Sequence, residues 1–147
     1  MDLDKTDVKI LESLLENSRT SNRQIAKKVK VSVGTVITKI KKLEKEGIIK
    51  GFTTTIDYEK LGYELTVITE IIVSKGKLLD AEKEIAKISN VCAVYDVTGE
   101  TDAVVIAKFK SRKTLSAFTK TILSLPFVER TNTHIVLTIM KEDYRLL

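Results

Sequence analysis

The sequence predicts an α+β fold in two parts: a helical N-terminal third, then a sandwich of element order βαββαβ. Three observations predict it. Apolar residues recur at helical spacing as far as Leu43, then at strand spacing from Ile49 to Ile56 and again from Glu64. The change of period falls near Gly51 and Gly62, which divides the chain into residues 1–50, a linker or hinge strand over 51–62, and a second domain over 63–147. Of the 147 residues, 43% are apolar and 31% charged, enough for two small cores under a solvated surface and unlike a disordered chain.

The first helix is predicted over Lys5–Asn17. Asp4 is placed to cap it, Asp7 favours the positive end of its dipole, and Val8, Leu11, Leu14 and Leu15 form one apolar face. Ser21 and Gln24 have the S-x-x-Q spacing of a capping box, so a second helix starts there with Ile25, Ala26 and Val29 facing inward. After a short break at Lys30-Val31, Ser32 caps a third helix that runs to about Glu46 and stops at Gly47. Two short helices across so tight a turn form a helix-turn-helix. In the third helix Val36, Ile40 and Leu43 share the inward face. Gly34, Thr38, Lys41 and Lys45 point the opposite way, with Lys42 beside them.

Charge supports an acidic partner for that outward face. Residues 19–50 carry ten basic residues against Glu44 and Glu46, a net +8, while the whole chain carries +5. A local basic field of this kind is the footprint expected for duplex DNA phosphates. Small residues near the start of the third helix let its backbone approach DNA, Thr35 and Thr38 can bond base edges or phosphates, and the lysines further along reach the backbone.

Past the linker, Glu64–Ser74 reads as a strand and Lys77–Ile88 as a helix with Leu78, Ala81, Ile85 and Ile88 inward. Val91–Thr98 and Ala103–Phe109 are strands joined across Gly99-Glu100-Thr101-Asp102. Leu115–Leu125 is a helix ended by Pro126, and Val128–Met140 is the last strand. Helices cover one face of such a sheet. In the first strand Leu65, Val67, Ile71 and Val73 lie on one side and Ile68 and Ile72 on the other. In the third strand Val105, Ala107 and Phe109 oppose Val104 and Ile106, so the second face stays half apolar and predicts a homodimer through the sheets.

The residues give little support to an enzyme. The lone His134 has no metal-ligand partner at motif spacing, and Cys92, the only cysteine, sits in an apolar strand where a core position is expected. The tyrosines Tyr58, Tyr63, Tyr95 and Tyr144 lack the spacing of a base-stacking platform. No apolar run is long enough to span a bilayer, and Met1-Asp2-Leu3-Asp4 is not a signal-peptide start. The expectation is a cytoplasmic, non-enzymatic protein with no cofactor, no metal and no membrane partner.

Four motifs occur in order: Leu3–Leu11, Asn17–Ser21, Val31–Val36 and Leu43–Gly51. Together with Asp57, Leu61-Gly62 and the C-terminal half they resemble the Lrp/AsnC family of transcription regulators over nearly the whole chain. The resemblance implies a winged helix-turn-helix followed by a ferredoxin-like (RAM-type) βαββαβ domain that dimerises, assembles further toward an octamer, and often binds a small amino-acid effector. The DNA-contacting set then expected is Ser21, Ser32, Gly34, Thr35, Thr38, Lys39, Lys41, Lys42 and Lys45. Lys39 stands where family members often carry Arg, and a lysine lacks the bidentate fork. By spacing alone, Gly99–Asp102 is a tight turn. The resemblance makes Gly99, Glu100, Thr101 and Asp102 an effector loop between dimers, with Thr131 and Thr133 as further candidates. Its loop amides hold the effector's carboxylate, and Asp102 its ammonium. The alternatives are a tetrapyrrole (haem-precursor) decarboxylase built on the same fold, and an architectural DNA binder that needs no effector.

Overall fold

The structure is a computed structural model that describes residues 3–147; Met1 and Asp2 of the acidic start lie outside it. Its elements are α1 (Lys5–Glu16), α2 (Asn22–Val29), α3 (Val33–Lys45), β1 (Leu65–Val73), α4 (Leu78–Ile85), β2 (Val91–Asp96), β3 (Ala103–Phe109), α5 (Arg112–Leu123) and β4 (Val128–Ile135). Two compact units result. One holds the residues up to Thr55 together with Glu142–Leu147, and the other is Ile56–Lys141. The last six residues thus group by contact with the helical unit.

In that unit all three helix starts are capped by side chains. The Asp4 carboxylate accepts from the Thr6 and Asp7 amides at 2.7 and 2.8 Å, and Asp7 accepts in return from the Asp4 amide at 3.0 Å. Ser21 and Gln24 form the expected reciprocal pair. Ser32 Oγ accepts from the Thr35 amide at 3.0 Å. The turn between α2 and α3 puts Lys30 in the left-handed region (φ 63°), a conformation costing a non-glycine residue about 1–2 kcal/mol. Gly47, at φ 72°, ends α3 as expected.

The helical core gathers Ile10, Ile25, Ala26, Val29 and Val36, with Leu14, Val31 and Ile40 partly buried against them. This corrects the inward face expected for α1. Its buried residues are Asp7, Ile10 and Ser13. Leu11 and Leu15 instead line a cavity of about 590 Å³ with Ile48, Ile49, Phe52 and Leu147. The linker differs from expectation too: residues 51–57 form no strand, because a strand needs a pairing partner and none of the described residues supplies one.

Lys39 is a second correction. Expected among the DNA-contacting residues, it stands three residues after Val36 and four before Leu43, on the inward stripe of α3. Its ammonium lies 2.8 Å from Asp7 Oδ1 and 2.5 Å from Asp4 Oδ2. The Asp7 side chain is 3% exposed and that of Lys39 20%. A carboxylate so far from water needs a cation, and α3 provides it. The pair ties the start of α1 to the middle of α3.

In the second unit the sheet order is β2-β3-β1-β4, with all three pairings antiparallel. Val67, Ile71, Val73, Val105, Ala107 and Phe109 face α4 and α5, where Ala81, Ile85, Phe118 and Ile122 close the core. α5 starts three residues before the predicted Leu115, because Ser111 and Thr114 form a capping box. β4 stops at Ile135, five residues short of Met140. The Val136 amide still reaches the Thr66 carbonyl at 2.9 Å, but β1 begins at Leu65 and offers nothing further to pair with. Cys92 is exposed at a register shift between β2 and β3, not in the core. Among the described residues no helix is long and apolar enough to cross a membrane.

The Lys39 pair has a measurable consequence. Hydrogen bonding to Lys39, then to the Asp7 amide, lowers Asp4 from its ordinary 3.8 to about 2. Asp4 is thus more acidic folded than unfolded, so its contribution is present above pH 3.8 and is lost as pH falls toward 2. Lys39→Met leaves the buried Asp7 carboxylate without its cation and should lower stability at pH 7 by about 3 kcal/mol. Denaturant titrations from pH 7 to pH 2 should show that loss and a flatter acid limb in the variant. Wild-type stability in Lys39→Met would mean that the pair carries no structural weight.

Candidate nucleic-acid interface and effector loop

The outward face of α3 follows from the burial of its inward one. With Val36 and Leu43 fully buried, Gly34, Thr38, Lys41, Lys42 and Lys45 are all exposed. Among the described residues the ammonium groups of Lys41, Lys42 and Lys45 enter no ion pair. The cap hydroxyls are already engaged: Ser21 Oγ with Gln24, and Ser32 Oγ with Thr35 Oγ1 at 2.8 Å. Both serines are exposed at helix N-termini, where backbone amides favour anions, and Thr35 is half-buried beside Ser32. At Gly34 an added Cβ would meet only Ser32 Oγ at 3.7 Å, an ordinary contact, so no neighbour within the chain demands glycine there.

The loop between β2 and β3 is held at the far end of β1. Thr101 Oγ1 donates to the Ile71 carbonyl at 3.0 Å, and the Asp102 amide donates to the same carbonyl at 3.0 Å. Asp102 Oδ2 accepts from the Val73 amide at 2.8 Å. One oxygen of the carboxylate expected to meet an effector's ammonium is thus already committed to the sheet. Gly99, at φ 128°, and the exposed Glu100 form the outer part of the loop.

A cavity of about 190 Å³ opens beside this loop on the face of the sheet that the helices leave uncovered. It is lined by Glu70, Ile72, Glu100, Thr101, Arg130 and Asn132. Thr131 and Thr133 do not reach it. They pair with Ile71 and Thr69 on the helix-covered face, where Thr133 Oγ1 lies 3.1 Å from Thr69 Oγ1. Successive strand residues point to opposite faces, so 131 and 133 lie on the helix-covered face and 130 and 132 on the face of the cavity. His134 shares the cavity's face. Asn132 Nδ2 donates to Glu70 Oε2 at 2.9 Å, and His134 Nε2 lies 3.4 Å from the same oxygen. Hydrogen bonding by Asn132 and then His134 holds the Glu70 carboxyl below its ordinary range.

Two family models match the chain in its own order of parts. Residues 3–50 match a winged helix-turn-helix DNA-binding model, and residues 66–146 match the Lrp/AsnC ligand-binding domain. The chain belongs to the Lrp/AsnC family. It is a transcriptional regulator with a DNA-binding helix-turn-helix and an Lrp/AsnC ligand domain. It is 53% identical to an uncharacterized HTH-type transcriptional regulator of Pyrococcus furiosus over 99% of both chains. It is 36% identical to the HTH-type transcriptional regulator FL11 of Pyrococcus horikoshii over 98% of this chain and 95% of that one. Among solved structures, a transcriptional regulator of Neisseria meningitidis in complex with L-Met matches at a TM-score of 0.89 and 30% identity, covering 99% of this chain and 97% of that one. Escherichia coli AsnC matches at 0.89 and 26%, covering 97% of each.

For this Lrp/AsnC chain, the residues the sequence left out of the candidate site are Glu70, Ile72, Arg130 and Asn132. The only signal that could have found them is the parity of each strand relative to its core row. The engaged Asp102 makes a distinct prediction. Asp102→Ala strips the Val73 amide of its acceptor at a half-buried position and should destabilise the protein by about 1–3 kcal/mol. The exposed Glu100→Ala should change stability by less than about 0.5 kcal/mol. Chemical denaturation of both variants checks this, and equal stabilities would leave Asp102 with no role in holding the loop.

Proposed function

We propose that this regulator binds duplex DNA sequence-specifically through the outward face of α3. It works as a dimer or higher assembly, and an amino acid held beside the β2–β3 loop alters DNA binding through that assembly. One observation carries the DNA reading: a helix anchored by Val36, Lys39 and Leu43 presents Gly34, Thr38, Lys41, Lys42 and Lys45 together on its free side. Gly34 sharpens it. A helical glycine costs about 1 kcal/mol relative to alanine. Since no neighbour in the chain crowds this position, close approach of the helix backbone to DNA is its best explanation. In this reading Thr38 faces base edges, Lys41, Lys42 and Lys45 meet phosphates, and Ser21, Ser32 and Thr35 border phosphates at helix starts. Lys39 supports the helix from behind.

The dimer reading rests on the open sheet face, where Ile68 is exposed and Val104 and Ile106 are half-buried within one chain. Two-fold pairing of such faces presents two α3 helices to a palindromic site. The L-Met complex of the Neisseria meningitidis relative supports an amino acid as the class of effector. An effector acts only through different affinities for the assemblies it joins.

Lys41→Ala and Lys45→Ala should each weaken binding to every duplex and reduce the salt slope by about one, whereas Thr38→Ala should change which sequences are preferred. Fluorescence anisotropy against a selected and a scrambled duplex over a range of salt measures both; unchanged affinity and slope in both lysine variants would move the interface elsewhere. Ile106→Asp buries a charge in the proposed sheet contact. Sedimentation should show the wild type as a dimer or larger and this variant as monomer, and a monomeric wild type would sink the dimer reading.

A further inference from the structure

The cavity beside the loop has a charge pattern that selects among amino acids. Its charged residues are Glu70 from β1, Glu100 from the loop and Arg130 from β4. By strand register, Glu70, Ile72, Arg130 and Asn132 share one sheet face, and the loop brings Glu100 and Thr101 to its end. Among the described residues neither Glu100 nor Arg130 takes part in an ion pair. Glu70 offers one oxygen to Asn132 and His134, and no hydrogen bond to its second oxygen is seen. The space, about 190 Å³, lies below the ~300–1,000 Å³ of pockets for drug-sized ligands and suits one small metabolite.

A neutral amino acid brings one carboxylate and one ammonium. Arg130 can take the carboxylate in a two-pronged contact, and one glutamate can take the ammonium. The other glutamate then faces no opposite charge. An acidic amino acid makes this worse by adding a second carboxylate opposite two others. Ile72 is the single apolar side chain in the lining, too little to hold a branched or aromatic side chain by burial. A side chain that ends in a cation satisfies all three protein charges.

Resting on the amino-acid reading above, we infer that the effector is a basic amino acid, with Arg130 on its α-carboxylate and Glu70 and Glu100 on its two cationic ends. Ile72 lies along the aliphatic stem. Glu70, Glu100, Arg130 and Asn132 then act as the specificity-determining residues of the ligand domain.

Calorimetry on the full-length protein tests this with L-lysine, L-norleucine, which has the same straight chain without the amine, and L-glutamate. Lysine should bind at least about tenfold tighter than norleucine, the scale of one charge-assisted contact, and glutamate should give no heat. Glu100→Gln should bring lysine close to norleucine, and Arg130→Met should weaken both by about tenfold or more. Both substituted side chains are exposed, and an unchanged melting temperature verifies that each variant is folded. Equal binding of lysine and norleucine by the wild type overturns the basic class and leaves an amino-acid effector standing. Undiminished lysine binding in both variants overturns the cavity assignment. No heat with any of the twenty amino acids, from a protein that still binds DNA, overturns the effector reading itself and this inference with it.

Discussion

Strand β1 is paired along both edges, with β3 from Leu65 to Ile71 and with β4 from Val67 to Val73, so its alternation decides which way every neighbouring residue faces. Val67, Thr69, Ile71 and Val73 form the row that α4 and α5 cover. The row between them, Thr66, Ile68, Glu70 and Ile72, is left to the other side. A shift of one residue would exchange the two rows and expose the core. Two features depend on this constraint. The uncovered row is apolar at Ile68 and polar at Glu70, so one sheet face carries both an exposed apolar patch and a charged cavity. The loop of Gly99–Asp102 is fastened to the end of the same strand, which brings Glu100 to the cavity that Arg130 also lines.

In the helical unit the corresponding constraint is the inward stripe of α3. Val36 and Leu43 are buried, and Lys39 lies between them with its ammonium drawn to the buried Asp7. The stripe therefore has an ionic middle and apolar ends. An isolated buried carboxylate is strongly unfavourable, so the pair favours the register of α3 against α1 that brings Lys39 to Asp7. That register decides which lysines remain free. Lys41, Lys42 and Lys45 point out because Lys39 points in.

Much of the fold was legible from local chemistry. The capping pairs Asp4–Asp7 and Ser21–Gln24, the Ser32 cap and the stop at Gly47 are written in short-range patterns, since a helix end satisfies its orphan amides with residues two or three positions away. β3 was legible from end to end for a similar reason: the Gly99–Asp102 turn bounds it on one side and the break after Phe109 on the other. Where the sequence failed, the deciding partner lay far along the chain. Lys39 reads as one more basic residue until α1 brings a buried carboxylate beside it. Leu11 and Leu15 read as core until packing turns Ile10 and Ser13 inward instead. β4 reads on to Met140 because its apolar residues continue, yet β1 ends its pairing at Ile135.

The candidate ligand site divides along the same line. The sequence by itself determined the two-part organisation, the helix-turn-helix, the basic outward face and the loop at Gly99–Asp102, because each is set by residue type and spacing within a few turns of chain. Only the tertiary structure decided that Asp102 helps hold the sheet, that Thr131 and Thr133 face the helices, and that Glu70, Glu100 and Arg130 meet around one cavity. Those three come from β1, a loop and β4, up to 60 residues apart in sequence. Strand pairing joins Glu70 to Arg130, and the hydrogen bonds of Thr101 and Asp102 to β1 bring in Glu100. Pairing register is a long-range property that no local pattern encodes.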